Sequence, residues 1–86
     1  MARLIQPEGQ VFGERLRQMR KRRGLTQEEL ATRANLAGPY ISDMERGLKV
    51  PSLTTVLQLA MALECKVTDL VGVFDKRDLR ELLEKQ

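Results

Sequence analysis

The stretch from Thr26 to Gly47, TQEELATRANLAGPYISDMERG, leaves the chain few ways to fold. Thr26 is followed three residues later by Glu29, the spacing of a capping box. In that motif the hydroxyl accepts from the amide of the third helical residue while the Glu side chain reaches back to the cap amide. Leu30, Ala31 and Ala34 then set one apolar stripe on the helix so begun. Asn35-Leu36-Ala37-Gly38 breaks the period with two residue types that tolerate turn geometry. A second helix is expected to begin near Pro39, where the missing N–H costs nothing because first-turn amides have no intrahelical partner. Its apolar residues Ile41 and Met44 are three apart, and Gly47 ends it. Two short helices around a turn of about four residues make a helix-turn-helix.

The flanks carry the same helical period. From about Gln10 to Arg23, Phe12, Leu16, Met19 and Arg20 share one face, and Gly24 is the expected stop. Arg15, Arg17, Lys21, Arg22 and Arg23 cover the other sides of that helix. Cations in a last turn suit the negative end of the helix dipole, so the basic run has a structural explanation besides any attraction to a distant anion. Arg20 differs, because a charge on the apolar face needs a partner. Pro51-Ser52 opens another helix with Ser52 as cap, and Leu53, Val56, Leu57, Ala60 and Leu63 are expected as its buried stripe. Cys65 takes an apolar slot and reads as an inert core thiol. Val67 to Val71 is expected to be a short helix with Val67 and Leu70 inward. Beyond it, Asp75 is the expected cap of a last helix bearing Leu79, Leu82 and Leu83 on one side.

Eighty-six residues make one small domain with a thin core. With no His and a single Cys, the chain cannot form an intrachain disulfide or a Cys/His metal site, and a reducing cytoplasm is expected. No metal or cofactor is expected. Nor is an enzyme, since no base–nucleophile pair is visible. The longest apolar run, Val56 to Leu63, is too short for a membrane span and contains Gln58. Residues 1–49 carry a net charge of +4 and residues 50–86 a net −1. That asymmetry suits a polyanion on one face and suits a well-solvated surface equally.

The pattern Leu25-Thr26-Gln27-Glu28-Glu29-Leu30-Ala31, then Tyr40-Ile41-Ser42-Asp43-Met44-Glu45-Arg46-Gly47, then Pro51-Ser52-Leu53, resembles the lambda-repressor-like family, also called Cro or Xre type, over roughly residues 12–71. The resemblance implies an all-α fold: a compact five-helix DNA-binding domain over residues 10–71, with its motif at 26–46. A flexible arm (1–9) would precede it, and an extension (72–86) with a short helix would follow. It also implies a structural ion pair between Arg20 and Glu45, and a phosphate clamp at Gln27. It further implies a bacterial or phage-encoded, cytoplasmic regulator of transcription.

Setting Ile41, Met44 and Glu45 inward turns Pro39, Ser42, Asp43 and Arg46 outward, with Tyr40 at one edge. In a docked helix-turn-helix that outward face enters the major groove of double-stranded DNA. The expected DNA-contacting set is Gln27, Gly38, Pro39, Tyr40, Ser42, Asp43, Arg46 and Lys49, the last two on the flanking backbone. Relatives often open the reading helix with a capping Ser and long polar side chains, whereas this chain has Ala37, Gly38 and Pro39. Gly38 and Pro39 cannot make bidentate contacts to purine edges, so specificity from DNA shape or from dimerisation is expected.

A homodimer on a palindromic operator, acting as a repressor, is the first expectation, with Val73, Phe74, Leu79, Leu82 and Leu83 as its contact. The same leucines could instead tuck against their own domain. The second reading is an antitoxin-like module that grips a protein partner through its C-terminal segment and autoregulates.

Overall fold

The computed structural model describes residues 6–74 and 76–84. Six helices follow in order: α1 (Pro7–Arg22), α2 (Gln27–Ala34), α3 (Gly38–Glu45), α4 (Leu53–Leu63), α5 (Val67–Val71) and α6 (Lys76–Glu84). The described residues form no strand. The first five helices share one core, whose fully buried side chains are Leu16, Leu30, Ile41, Met44, Leu59, Leu63 and Leu70. Each of α1 to α5 contributes at least one of them, and the described side chains of α6, residues 79–84, contribute none.

Local chemistry accounts for the boundaries. The Thr26 hydroxyl accepts from the Glu29 amide at 3.0 Å, and the Glu29 carboxylate accepts from the Thr26 amide at 2.8 Å. These bonds favour the charged form of Glu29, and its pKa lies below the usual glutamate value. Ser52 caps α4 by accepting from the Thr55 amide at 3.1 Å. Gly47 follows α3 at φ 76, in the left-handed region that favours glycine.

Two expectations are corrected. Pro7, Glu8 and Gly9, placed by the sequence in a flexible arm, belong to α1; residues 1–5 of that arm lie outside the described residues. Proline fits a first helical turn because its missing N–H would be unpaired there. Gly9 is buried where a Cβ would stand 3.2 Å from the Gly47 carbonyl oxygen, so it permits a close approach rather than breaking the helix. Leu53 and Leu57, expected inside, are exposed, whereas Val56, Ala60 and Leu63 face the core as expected and Leu59 joins them. Both sides of α4 are apolar, so periodicity alone could not choose between them. Asp75, expected to cap α6, lies outside the described residues.

Cys65 is half-buried and packs against the core. Burial pushes its thiol pKa up, with the Asp69 charge adding to the effect, which disfavours the thiolate.

Candidate nucleic-acid interface

The turn between α2 and α3 is made by backbone geometry. Asn35 adopts the left-handed conformation at φ 59, and the Leu36 amide reaches back to the Ala31 carbonyl at 2.8 Å. Ala37 sits at the N-cap of α3 and offers no side-chain bond. The Glu28 carboxylate from α2 lies instead against the start of α3, where a Cβ on Gly38 would meet its Oε2 at 2.9 Å. A negative group there complements the partly positive helix end. Nothing in the spacing of Glu28 pointed to this contact, because it depends on the crossing of α2 and α3.

The inner side of α3 is fastened twice. Ile41 and Met44 are fully buried. At its end, Arg20 Nε donates to Glu45 Oε2 at 2.6 Å and Arg20 Nη2 donates to Glu45 Oε1 at 3.0 Å, while Nη1 reaches the Leu25 carbonyl at 2.8 Å. The two side chains are only 11 % and 4 % exposed. Gln27 joins the pair, its Nε2 donating to Glu45 Oε1 at 3.0 Å. The side chain assigned to a phosphate thus has one amide hydrogen turned to the protein, and α1, α2 and α3 meet at one carboxylate. Near this junction a Cβ on Gly13 would run into the Met44 carbonyl oxygen and stand 2.9 Å from that of Glu45. Backbone therefore touches backbone between α1 and α3.

The outward side of α3 is linked by charge. Asp43 Oδ1 accepts from Arg46 Nη2 at 2.7 Å, and Asp43 Oδ2 lies 3.6 Å from Lys49 Nζ. The same ammonium stands 5.8 Å from the centre of the Tyr40 ring, a cation–π distance. Tyr40, Asp43, Arg46 and Lys49 therefore form one connected group, with Ser42 half-buried and Pro39 exposed beside it.

The basic run of α1 divides. Arg15 Nε donates to the Asp69 carbonyl at 2.7 Å, Arg23 Nη2 donates to the Glu64 carbonyl at 2.7 Å, and Arg20 serves Glu45. Arg17, Lys21 and Arg22 remain on the exposed surface.

The residues expected at a dimer contact line two grooves beside α1. Phe74, Leu79, Leu82 and Leu83 line a groove of about 290 Å³ with Glu8, Phe12, Val50, Pro51 and Val56. Val73 lines a shallower groove with Val11, Glu14, Arg15 and Gln18. Among the described residues, no group of His, Cys, Asp and Glu could hold a metal ion, and no helix is long and apolar enough to cross a membrane.

A core-anchored helix with an unpacked outer side, set across a second helix by the three-residue turn 35–37, defines a helix-turn-helix DNA-binding domain. The family described as "Helix-turn-helix domain" matches residues 11–83. The chain belongs to this Cro/Xre-like family, whose members are DNA-binding regulators of transcription and not enzymes. It is 45% identical over 62 residues to the immunity repressor protein of Bacillus phage phi105, covering 72% of this chain and 43% of that protein. It is 45% identical over 58 residues to the HTH-type transcriptional regulator DdrOP3 of Deinococcus deserti, covering 67% and 45%. The chain thus spans less than half the length of these two relatives. The crystal structure of the restriction-modification controller protein C.AhdI from Aeromonas hydrophila superposes with a TM-score of 0.72 at 40% identity, covering 73% of this chain and 96% of that one.

Proposed function

We propose that the chain is a sequence-specific repressor that binds a palindromic operator in double-stranded DNA as a homodimer, with α3 of each subunit in the major groove. The observation that carries this reading is the division of α3. Its inner side is bolted by Ile41, Met44 and the Arg20–Glu45 pair, and its outer side is free and ends in Arg46 and Lys49. In this reading Gln27, Arg46 and Lys49 meet phosphates, and the free ends of the α2 amides add to the Gln27 contact. Tyr40, Ser42 and Asp43 face the bases with the exposed Pro39 ring beside them, while Gly38 gives its space to the Glu28 carboxylate. Few of these side chains can read a purine edge, so DNA shape supplies much of the discrimination.

One helix-turn-helix reads only a few base pairs, and two subunits set about one helical turn apart supply the rest. Selection of bound fragments from random DNA, followed by footprinting, tests the reading. Two inverted half-sites about 10 base pairs apart are expected. A single unrepeated site, or no enrichment at all, would sink it. The antitoxin-like reading draws less support, because Phe74 and Leu82, which would grip a partner, line a groove shared with α1.

A further inference from the structure

In a docked helix-turn-helix the N-terminal residues of the reading helix meet base edges. Here those residues cannot hydrogen-bond through their side chains. Ala37 stands at the cap of α3, and Gly38 and Pro39 follow it. The backbone adds little. Pro39 has no N–H, and the amides of Tyr40 and Ile41 turn back to the Ala37 carbonyl at 3.0 and 3.4 Å. That leaves the amide of Gly38, the residue against which the Glu28 carboxylate lies. Yet this end of the helix is open. Ala37 and Pro39 are exposed, and Tyr40 is half-buried with its ring under the Lys49 ammonium.

A base edge met by such a surface carries one feature the surface can distinguish, the methyl group on C5 of a pyrimidine. The other marks of the major groove are donors and acceptors. Resting on the reading that α3 enters that groove, we propose that Pro39, flanked by Tyr40, is a specificity-determining residue that recognises a pyrimidine C5 methyl. The methyl is the whole signal, so thymine supplies it and 5-methylcytosine supplies it equally.

Two observations favour a base methyl over a phosphate or bare duplex shape. One is the order of chemistry along the outward side of α3. It runs from the Pro39 ring through the Ser42 hydroxyl and the Asp43 carboxylate to the Arg46 guanidinium. The cations that suit a phosphate stand at the far end, and the near end has none. The other is rigidity. Proline fixes its own φ, and Ile41, two residues on, is fully buried. A ring held on such a base cannot adjust to the duplex. A methyl group fills the contact, and its absence leaves a gap.

The test uses the full chain and an operator duplex enriched from random DNA, with thymines replaced by uracil one symmetric pair at a time. At one pair the replacement should weaken binding about fourfold per half-site, the effect of one buried methyl-sized group. With cytosine at that pair, 5-methylation should regain about the same factor. Pro39→Ala, whose fold circular dichroism verifies, should bring both factors towards one and leave binding to scrambled DNA unchanged. Tyr40→Phe keeps the ring and should retain both factors. An operator with no methyl-sensitive pair overturns the inference. So does a sensitivity that survives Pro39→Ala, since the methyl then acts through the stiffness of the duplex. A sensitivity lost in Tyr40→Phe makes a hydroxyl the reader and overturns it as well. All three leave the helix-turn-helix reading standing. A chain that enriches no sequence overturns that reading and this inference together.

Discussion

The outward faces of α3 and α4 belong to helices that fill the same core, and they are opposites. On α3, Asp43 gathers Arg46 and Lys49, and Lys49 lies over Tyr40. On α4 the exposed residues are Leu53, Thr54, Leu57 and Met61, on a helix without a single charge. Charged, hydrogen-bonding side chains at fixed positions suit a polyanion whose phosphates repeat at fixed intervals. An uncharged apolar stripe suits another apolar surface, where area matters more than direction. One small core thus supports two exposed faces with different chemistry.

The largest expected effect lies behind α3. Arg20→Met or Glu45→Leu alone should destabilise the fold by about 3 kcal/mol, and the double variant by clearly less, because each single change leaves a buried charge alone. Chemical denaturation of the three proteins measures this. Losses that simply add would mean that the pair does not anchor the reading helix.

Next comes α4. In a homodimer whose subunits met at this stripe, Met61→Lys would weaken operator binding about tenfold or more while binding to scrambled DNA hardly changed, since one subunit suffices for the latter. Equal losses on both DNAs would erase the distinction between the two faces.

Smaller again are the phosphate contacts. Lys49→Ala and Arg46→Ala should each weaken binding to all sequences alike and reduce the slope of log affinity against log salt by about one unit. Gln27→Ala should also weaken all sequences but leave the slope nearly unchanged, with about 1 kcal/mol of stability lost through its bond to Glu45. Titrations against operator and scrambled DNA at several salt concentrations separate these outcomes. A loss confined to operator would make the residue a base reader.

The smallest effect belongs to Asp43→Asn. Exposed ion pairs are worth about 0.2–1 kcal/mol, so freeing Arg46 and Lys49 should raise affinity for scrambled DNA a few-fold. A fall in operator affinity instead would show that Asp43 accepts from a base.

The α2–α3 unit was legible in the sequence because each of its signals is local: Thr26 with Glu29, Asn35 in the turn, Pro39 near a helix start. The outer side of α4 was not. Leu53 and Leu57 have the same hydropathy as Leu59 and Leu63, and only the packing of α2 and α5 against this helix decides which pair is covered. Pro7 and Gly9 misled for a related reason: both are helix breakers in isolation, and here one starts a helix and the other makes room for the Gly47 carbonyl. The Gln27–Glu45 bond joins residues 18 apart in the chain, and the double use of Asp43 depends on rotamers. Neither leaves a mark on residue spacing.

Gly13 has a consequence for how the two molecules would share deformation. Side chains between helices act as a cushion that lets one tilt on the other, and at Gly13 that cushion is missing, so main chain rests on main chain. The α1–α3 pair is consequently stiff at its crossing. When a stiff protein surface meets a duplex, the duplex supplies the bending, at a cost that varies with base sequence. Base steps that α3 never touches would then affect affinity through their flexibility. Enlarging Gly13 would move the reading helix off its seat and change which of those steps are tolerated.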